Sequence, residues 1–171
     1  WGVFKKVVIA DNAAEVVKVS GKAEAAAKGA ADFAALAPGA KLLPGAVIRT
    51  GPGGEAIIRW ADGNAVKIGP ATSITLSGLI TSPVEKSTLE LTAGSAFFKA
   101  KALAGANSSF SVKTPSAIAG VRGTGFSASV DAAKKASFAV LDGQIDVEAE
   151  GISVVLDSGY SITVESGQPP G

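Results

Sequence analysis

The sequence predicts an all-β domain, and three observations predict it. Turn-forming Gly, Pro and Asp pairs punctuate the chain at short, nearly regular intervals. The runs between them are short and rich in Val, Ile, Thr and Phe, which suit a pleated, half-buried surface. Only 18% of the 171 residues are charged while 47% are hydrophobic, so the chain has the composition of a folded core and not of a disordered tail. With 21 Gly, 7 Phe, 2 Trp and 1 Tyr, that core is built from small side chains anchored by a few aromatics. Closely spaced strands of this kind fit a twisted two-sheet β-roll, a short β-solenoid or a sandwich, and spacing alone does not separate the three.

Residues 1–10, WGVFKKVVIA, read as a strand that ends at Asp11-Asn12. One register groups Val3, Lys5, Val7 and Ile9, and the other groups Phe4, Lys6, Val8 and Ala10. A strand apolar on both faces wants cover on both faces. Residues 15–20 read as a second strand closed by Gly21. The alanine-rich stretch that follows has helical propensity, but Gly29 leaves too few residues on either side for an independent helix. Lys22–Ala27 is therefore read as a strand, with a short helix near Asp32–Leu36 kept as an alternative.

From residue 38 onward the strands are residues 46–50, 55–60, 64–69, 72–80, 87–93, 95–102, 109–114, 125–131, 136–142, 144–150, 152–157 and 160–166. Asp62-Gly63 is the strongest hairpin signal. Ala93-Gly94, Asp142-Gly143, Gly151 and Ser158-Gly159 are read as turns, and a leucine followed by such a turn recurs as a weak internal repeat. The expected core is Ile48, Ile57, Ile68, Ile74, Leu91, Phe98, Phe110, Val112, Phe126, Val140, Ile145, Val155 and Ile162. The tail over residues 167–171 is too rich in Pro and Gly to pair regularly.

Composition also excludes chemistries. The chain has no His and no Cys, so a zinc finger, a disulfide frame, a His-dependent triad and a thiol nucleophile are all ruled out. No metal site and no cofactor are expected, and no stretch has the oxygen spacing of a calcium loop. A net charge of +1 gives no basic surface for nucleic acid. No apolar run approaches a transmembrane span. The absence of Met, with Trp at position 1, is read as a processed chain whose export signal is gone. The remaining carboxylates fall where strand and turn statistics place them, Asp62, Asp142 and Asp157 at turns among them, and no catalytic residues are assigned. Asn107-Ser108-Ser109 matches a glycosylation acceptor by chance.

Two segments stand apart. In residues 48–76, Gly51, Pro52, Gly53 and Gly54 read as a turn between strands, with an anion-binding nest of N–H groups as the alternative. It is not a nucleotide loop, since no Gly-Lys-Ser/Thr follows. In residues 97–130, Thr114-Pro115 precedes Arg122-Gly123-Thr124. Arg122 carries five donors and cannot lose its charge. It reads as a clamp at the crossing between two sheets, fixing the connection from Thr114 to Phe126, with a carboxylate or phosphate ligand as the alternative.

Together these residues carry a resemblance. Gly45, Ile48, Thr50, Gly51, Pro52, Gly53 and Ala56 open the pattern, followed by Asp62-Gly63, Gly69, Thr72, Leu76, Gly94 and Phe97-Phe98. Phe110, Val112, Thr114, Pro115, Ala117, Val121, Arg122, Gly123, Thr124 and Phe126 continue it, with Leu141, Gly143, Val147 and Gly159 behind. Over roughly residues 13–164 the chain resembles the FecR domain family. The best-known members of that family sit in the periplasm and relay an outer-membrane transporter signal to a sigma factor. They carry a cytoplasmic anti-sigma segment, a transmembrane helix and a C-terminal signalling region, and none of these is read in the 171 residues. The resemblance implies a stand-alone secreted relative of that β-domain.

The expectation from sequence is thus an extra strand at residues 1–12, a FecR-like domain at 13–166 and a short tail. Val3, Phe4, Val7, Val8 and Ile9 are the candidate subunit contact, donated as a strand to a neighbouring copy. Head-to-tail donation builds a filament. The leading functional expectation is therefore a non-enzymatic, extracellular or cell-surface structural protein that assembles with itself. Cell-envelope or matrix components are further candidate partners. The alternative is an extracytoplasmic, periplasmic ligand-binding or signal-relay module.

Overall fold

A computed structural model describes residues 13–60, 63–80, 86–100 and 109–170, and of Ile80, Arg122 and Gly123 the backbone alone. The described residues form strands and turns with no helix. The strands are β1 (Ala14–Ser20), β2 (Ala23–Ala26), β3 (Ala34–Ala35), β4 (Lys41–Leu42), β5 (Val47–Thr50), β6 (Glu55–Trp60) and β7 (Asn64–Ile68). They continue as β8 (Ser73–Ile80), β9 (Lys86–Lys99), β10 (Ser109–Lys113), β11 (Ile118–Val130), β12 (Ala136–Ala149), β13 (Ile152–Asp157) and β14 (Ser161–Val164).

Three long strands organise the rest. The first half of β9 pairs with β8 and runs parallel to β10, whereas its second half pairs with β7 and β11. Likewise β11 pairs with β10 in its first half and with the end of β9 in its second. The two halves of β12 pair with β14 and β13 in turn. Each long strand therefore passes from one layer to the other. The first layer runs β4-β1-β6-β7-β9-β11-β12-β14, and the second β3-β2-β5-β8-β9-β10-β11-β12-β13. The all-β class expected from sequence holds, and of the three arrangements that spacing left open the strands form a two-layer roll, with shared strands as the seams.

Both inner faces feed one core. Phe98, Phe110, Phe126 and Phe138 are fully buried. Trp60 on β6 stacks on Phe110 of β10 at 5.7 Å between ring centroids, and its indole N–H donates to Ser87 Oγ on β9 at 2.8 Å. Those contacts tie one layer to the other. Within the first layer Phe98 and Phe126 stack at 5.0 Å. Offset aromatic pairs of this kind add about 0.5–1.5 kcal/mol beyond the area they bury.

Several expectations change. Ala93-Gly94 and Asp142-Gly143 are not turns: β9 and β12 run straight through them, and the register along β9 and the neighbouring strands shifts there. The strand expected to begin at residue 125 begins at Ile118, so most of the crossing from Thr114 to Phe126 is itself β11, paired on both sides. The alternative helix over Asp32–Leu36 is absent; Ala34 and Ala35 pair with Ala25 and Glu24, and Leu36 N–H donates to Ala23 O at 3.0 Å. Tertiary hydrogen bonds override alanine's helical propensity here. In the core, Ile58 and Leu156 are buried in place of Ile57 and Val155. Both positions sit in doublets of apolar residues, where period-two alternation alone cannot choose the inward member. Ala56, Ile58 and Trp60 share the inward face, and Leu156 faces inward opposite Ile145. The remaining eleven expected core residues are buried. Residues 1–12, with Val3, Phe4, Val7, Val8 and Ile9, lie outside the described residues.

Candidate functional site

The residues singled out by pattern gather at three places where the chain changes layer or reverses. At the first, Gly51 to Gly54 make a tight turn closed by Gly54 N–H to Gly51 O at 2.9 Å. Pro52 sets one φ and Gly53 adopts φ +78°, a type II arrangement. The Gly51 and Gly54 amides are spent on Lys22 O and Gly51 O, and Gly51 O also accepts from Ala71. The segment is a turn and a strand junction, with two of its N–H groups already committed inside the fold.

Beside it stands a polar knot. Thr50 Oγ1 donates to Gly69 O at 2.6 Å and accepts from Thr72 N–H at 3.0 Å. Thr72 Oγ1 lies 2.9 Å from Pro70 O and 3.1 Å from Ser95 O, and accepts from Ser95 N–H at 3.0 Å. Gly94, at φ +91°, is where β9 turns out of one layer. A Cβ there would strike Thr72 Oγ1 and come within 2.5 Å of Thr72 Cα. Thr50, Gly69, Thr72 and Gly94, dispersed over 45 positions of sequence, thus form one joint between the layers, with the two threonines buried and the glycines half-buried.

The second place is the middle of β11. Thr124 is buried, donates through Oγ1 to Gln144 O at 2.8 Å and accepts from Gln144 N–H at 3.3 Å. Its backbone exchanges two 2.8 Å hydrogen bonds with Ala100. Thr124 thereby stitches β9, β11 and β12 where all three change layer. Arg122 was expected to hold this crossing; its side chain lies outside the described residues, and the clamp that is described is Thr124. Next to it a cavity of 310 Å³ is lined by Phe97, Lys99, Ala100, Gly125, Leu141 and Asp142. Phe97 is half-buried and Leu141 is 65% exposed. A Cβ on Gly125 would rest 3.6 Å from the Phe97 ring, an ordinary contact.

The third place is the β10–β11 turn. Thr114 N–H and Oγ1 both donate to Ala117 O, at 2.8 and 3.0 Å, and Ala117 N–H donates back to Oγ1 at 3.0 Å. Pro115 occupies the turn between them. A cavity of 410 Å³ lies between this turn and the β12–β13 turn at Glu150-Gly151. Ser116 Oγ is withdrawn from solvent there with no hydrogen-bond partner among the described residues.

Ser116 and Gln144 were missed by sequence reasoning, and Phe97 and Leu141 entered it only as members of the family pattern, with no place in a site. One signal was available for Phe97: in a strand with Phe98 inward, alternation forces Phe97 outward. Asp142, expected at a turn, is an exposed residue within β12, while Asp157 closes β13 and accepts from Gln144 Nε2 at 2.7 Å.

Charge is disposed on the outer faces. Arg59 donates to Glu15 Oε1 at 2.8 Å and Lys41 stands 3.9 Å from the same carboxylate. The Arg59 hydrogen bond, then the Lys41 charge, hold the Glu15 carboxyl below its usual value. Arg49 bonds Glu24 at 2.7 Å and lies 3.6 Å over the Phe33 ring. Among the described residues no cluster of three or more His, Cys, Asp or Glu is placed to hold a metal ion. No helix of the described residues is long and apolar enough to cross a membrane. The arrangement offers shallow surfaces for binding.

Comparison with known proteins gives the same frame. Residues 46–146 match the family model described as FecR protein. Two crystal structures from Parabacteroides distasonis, each provisionally described as an anti-sigma factor, are similar in fold. One has 20% identity and a TM-score of 0.60, the other 21% and 0.59, and each alignment covers 72% of this chain. The chain spans 56% of the length of those neighbours. A search of curated proteins finds no match.

Proposed function

We propose a signal-relay role outside the cytoplasm for this chain, which belongs to the FecR family. The observation that carries the reading is the span of the family match. Residues 46–146 include the Thr50–Thr72–Gly94 joint, the Thr114 turn and the Thr124 crossing. Those elements tie the two layers together by hydrogen bonds, and a relay module needs a scaffold that presents a surface to a second protein. The half-buried Phe97 and exposed Leu141 beside Thr124 offer such a surface. The description of the two structural neighbours as anti-sigma factors points the same way. Membership of the FecR family supports a setting outside the cytoplasm, in the periplasm or beyond it.

The test is genetic. Removing the segment for residues 13–166 from its native gene and sequencing transcripts should change a small set of genes governed by one alternative sigma factor. An unaltered transcript profile, under conditions where the protein is made, would overturn the relay reading. Self-assembly into a filament or surface layer is the second reading. One feature of the fold favours it, the open edge at β13.

A further inference from the structure

The open edges of the two layers are not equally protected. β3 and β4 have two residues each. β1 carries a bulge between Val16 and Lys18, and β14 has four residues followed by a tail containing Pro169 and Pro170. Short length, bulges and proline are the usual devices that keep an edge from pairing with another chain. β13 has none of them. Its six residues, ISVVLD, pair with β12 in unbroken register along one side. Among the described residues nothing pairs with the other side. Ile152 and Val155 on this strand are 50% and 53% exposed.

We propose that the open side of β13 accepts residues 3–9 of a second copy of this chain as an added strand. This goes beyond the relay reading and stands or falls separately from it. The chemistry of the edge selects the occupant. β13 turns Leu156 and half-buried Val154 toward the core and leaves Val155 on the outer face. A strand laid beside it must therefore be apolar on both faces. Val3, Val7 and Ile9 supply one such face, and Phe4 and Val8 the other. The outer face beside the edge carries the exposed carboxylates Asp146, Glu148 and Asp157. In either register one of Lys5 and Lys6 falls on that face.

Reach assigns the segment to a second copy. Five residue steps separate Ile9 from Ala14 at the start of β1, and they span at most about 18 Å. Between β1 and β13 lie β6, β7, β9, β11 and β12, about 29 Å along the sheet at ~4.8 Å per strand. Donor and acceptor are thus different surfaces of one subunit, so the contact is heterologous and can repeat head to tail.

The test uses the full chain in three forms: unaltered, Val155→Lys as an acceptor-edge variant, and Val7→Lys/Ile9→Lys as a donor variant. Sedimentation should give the unaltered chain a mass that rises with concentration above 16.9 kDa. Each variant alone should stay at that mass with unchanged circular dichroism. Mixing the two variants should restore a dimer that grows no further, because one intact donor meets one intact acceptor. Backbone amides of residues 152–157 should exchange slowly in the unaltered chain and at least tenfold faster in Val155→Lys. The proposal is overturned by an unaltered chain that stays monomeric at every concentration. It is equally overturned by variants that keep the unaltered mass, or by a mixture that remains monomeric. A donor variant that fails to fold would place residues 3–9 in their own subunit's core, and also overturns it.

Discussion

Gly94→Ala is expected to destabilise the chain by about 5 kcal/mol, and the structure supplies each part of that figure. Gly94 holds φ +91°, which costs a residue with a Cβ about 1–2 kcal/mol. The new Cβ meets Thr72 Cα at 2.5 Å and Ala71 O at 2.7 Å, both backbone, so the strain has no flexible side chain to absorb it. Overpacking of this sort costs about 1–3 kcal/mol. Relief requires Thr72 to move, which breaks the half-buried Ser95 N–H to Thr72 Oγ1 bond, about 1–2 kcal/mol more. At this chain length the melting temperature should fall by roughly 10–20 °C. Gly53→Ala is the internal control: its φ is +78° but its Cβ would point into open space. It should cost about 1 kcal/mol, the backbone part alone. Thermal and urea unfolding of both variants measure the difference. If Gly94→Ala costs no more than Gly53→Ala, the joint at Thr72 is not the close contact that turns β9 between layers.

Thr124→Val should cost about 1–3 kcal/mol by leaving the Gln144 backbone groups at the β11–β12 crossing unpaired, measured by urea unfolding. Trp60→Phe should cost a similar ~1–3 kcal/mol, because Ser87 Oγ loses its buried donor and the Phe110 stack loses area; Trp60→Phe/Ser87→Ala should recover part of that loss. Acidification gives a smaller effect. Glu15 has a lowered carboxyl value in the folded chain, so its stabilisation is present above the usual 4.5 and is lost as pH falls through the folded value. The melting temperatures of the unaltered chain and Glu15→Gln should therefore converge below pH 4.5, and added salt should shrink their difference at neutral pH because the pair is exposed.

Glycine punctuation explains both the success and the failure of reading this fold from sequence. A Gly after a short apolar run announces positive φ, and Gly53, Gly94, Gly143, Gly151 and Gly159 all have it. Positive φ serves a hairpin and a bend equally well. At Gly151 the next strand folds back on β12, whereas at Gly94 and Gly143 the same strand continues in the other layer, and past Gly159 the chain goes on along β12 as the new strand β14. What separates the cases is long-range pairing. Gly94 ends the stretch of β9 that faces β8 and begins the stretch that faces β11. Local sequence holds no record of which neighbour lies on each side, so a continuous fourteen-residue strand reads as two short ones.

The site divides along the same line. Thr50, Thr72 and Thr124 belong to the motif pattern, but their work as joints depends on partners 19 to 23 positions away. Hydroxyl side chains at such spacings carry no period to detect. Apolar alternation, by contrast, carries further than it was taken. Once Phe98 is assigned to the core, Phe97 must face solvent on the same strand, and its cross-strand neighbours Lys67 and Ser127 leave it without an aromatic or aliphatic cover. An aromatic ring at such a position covers apolar surface at the cost of exposing some of its own. The other bulky aromatics on these strands, Phe98, Phe126 and Phe138, are fully enclosed, so half-buried Phe97, with exposed Leu141 lining the same cavity, sets the face beside the Thr124 crossing apart from the core side of these strands. The same reasoning applied to β13 finds apolar side chains exposed along an edge and not on a face. A face admits any shape with complementary chemistry, whereas an edge admits a strand. The relay reading at Phe97 and the proposed strand addition at β13 therefore ask for different classes of partner, a complementary surface in the first case and an extended strand in the second.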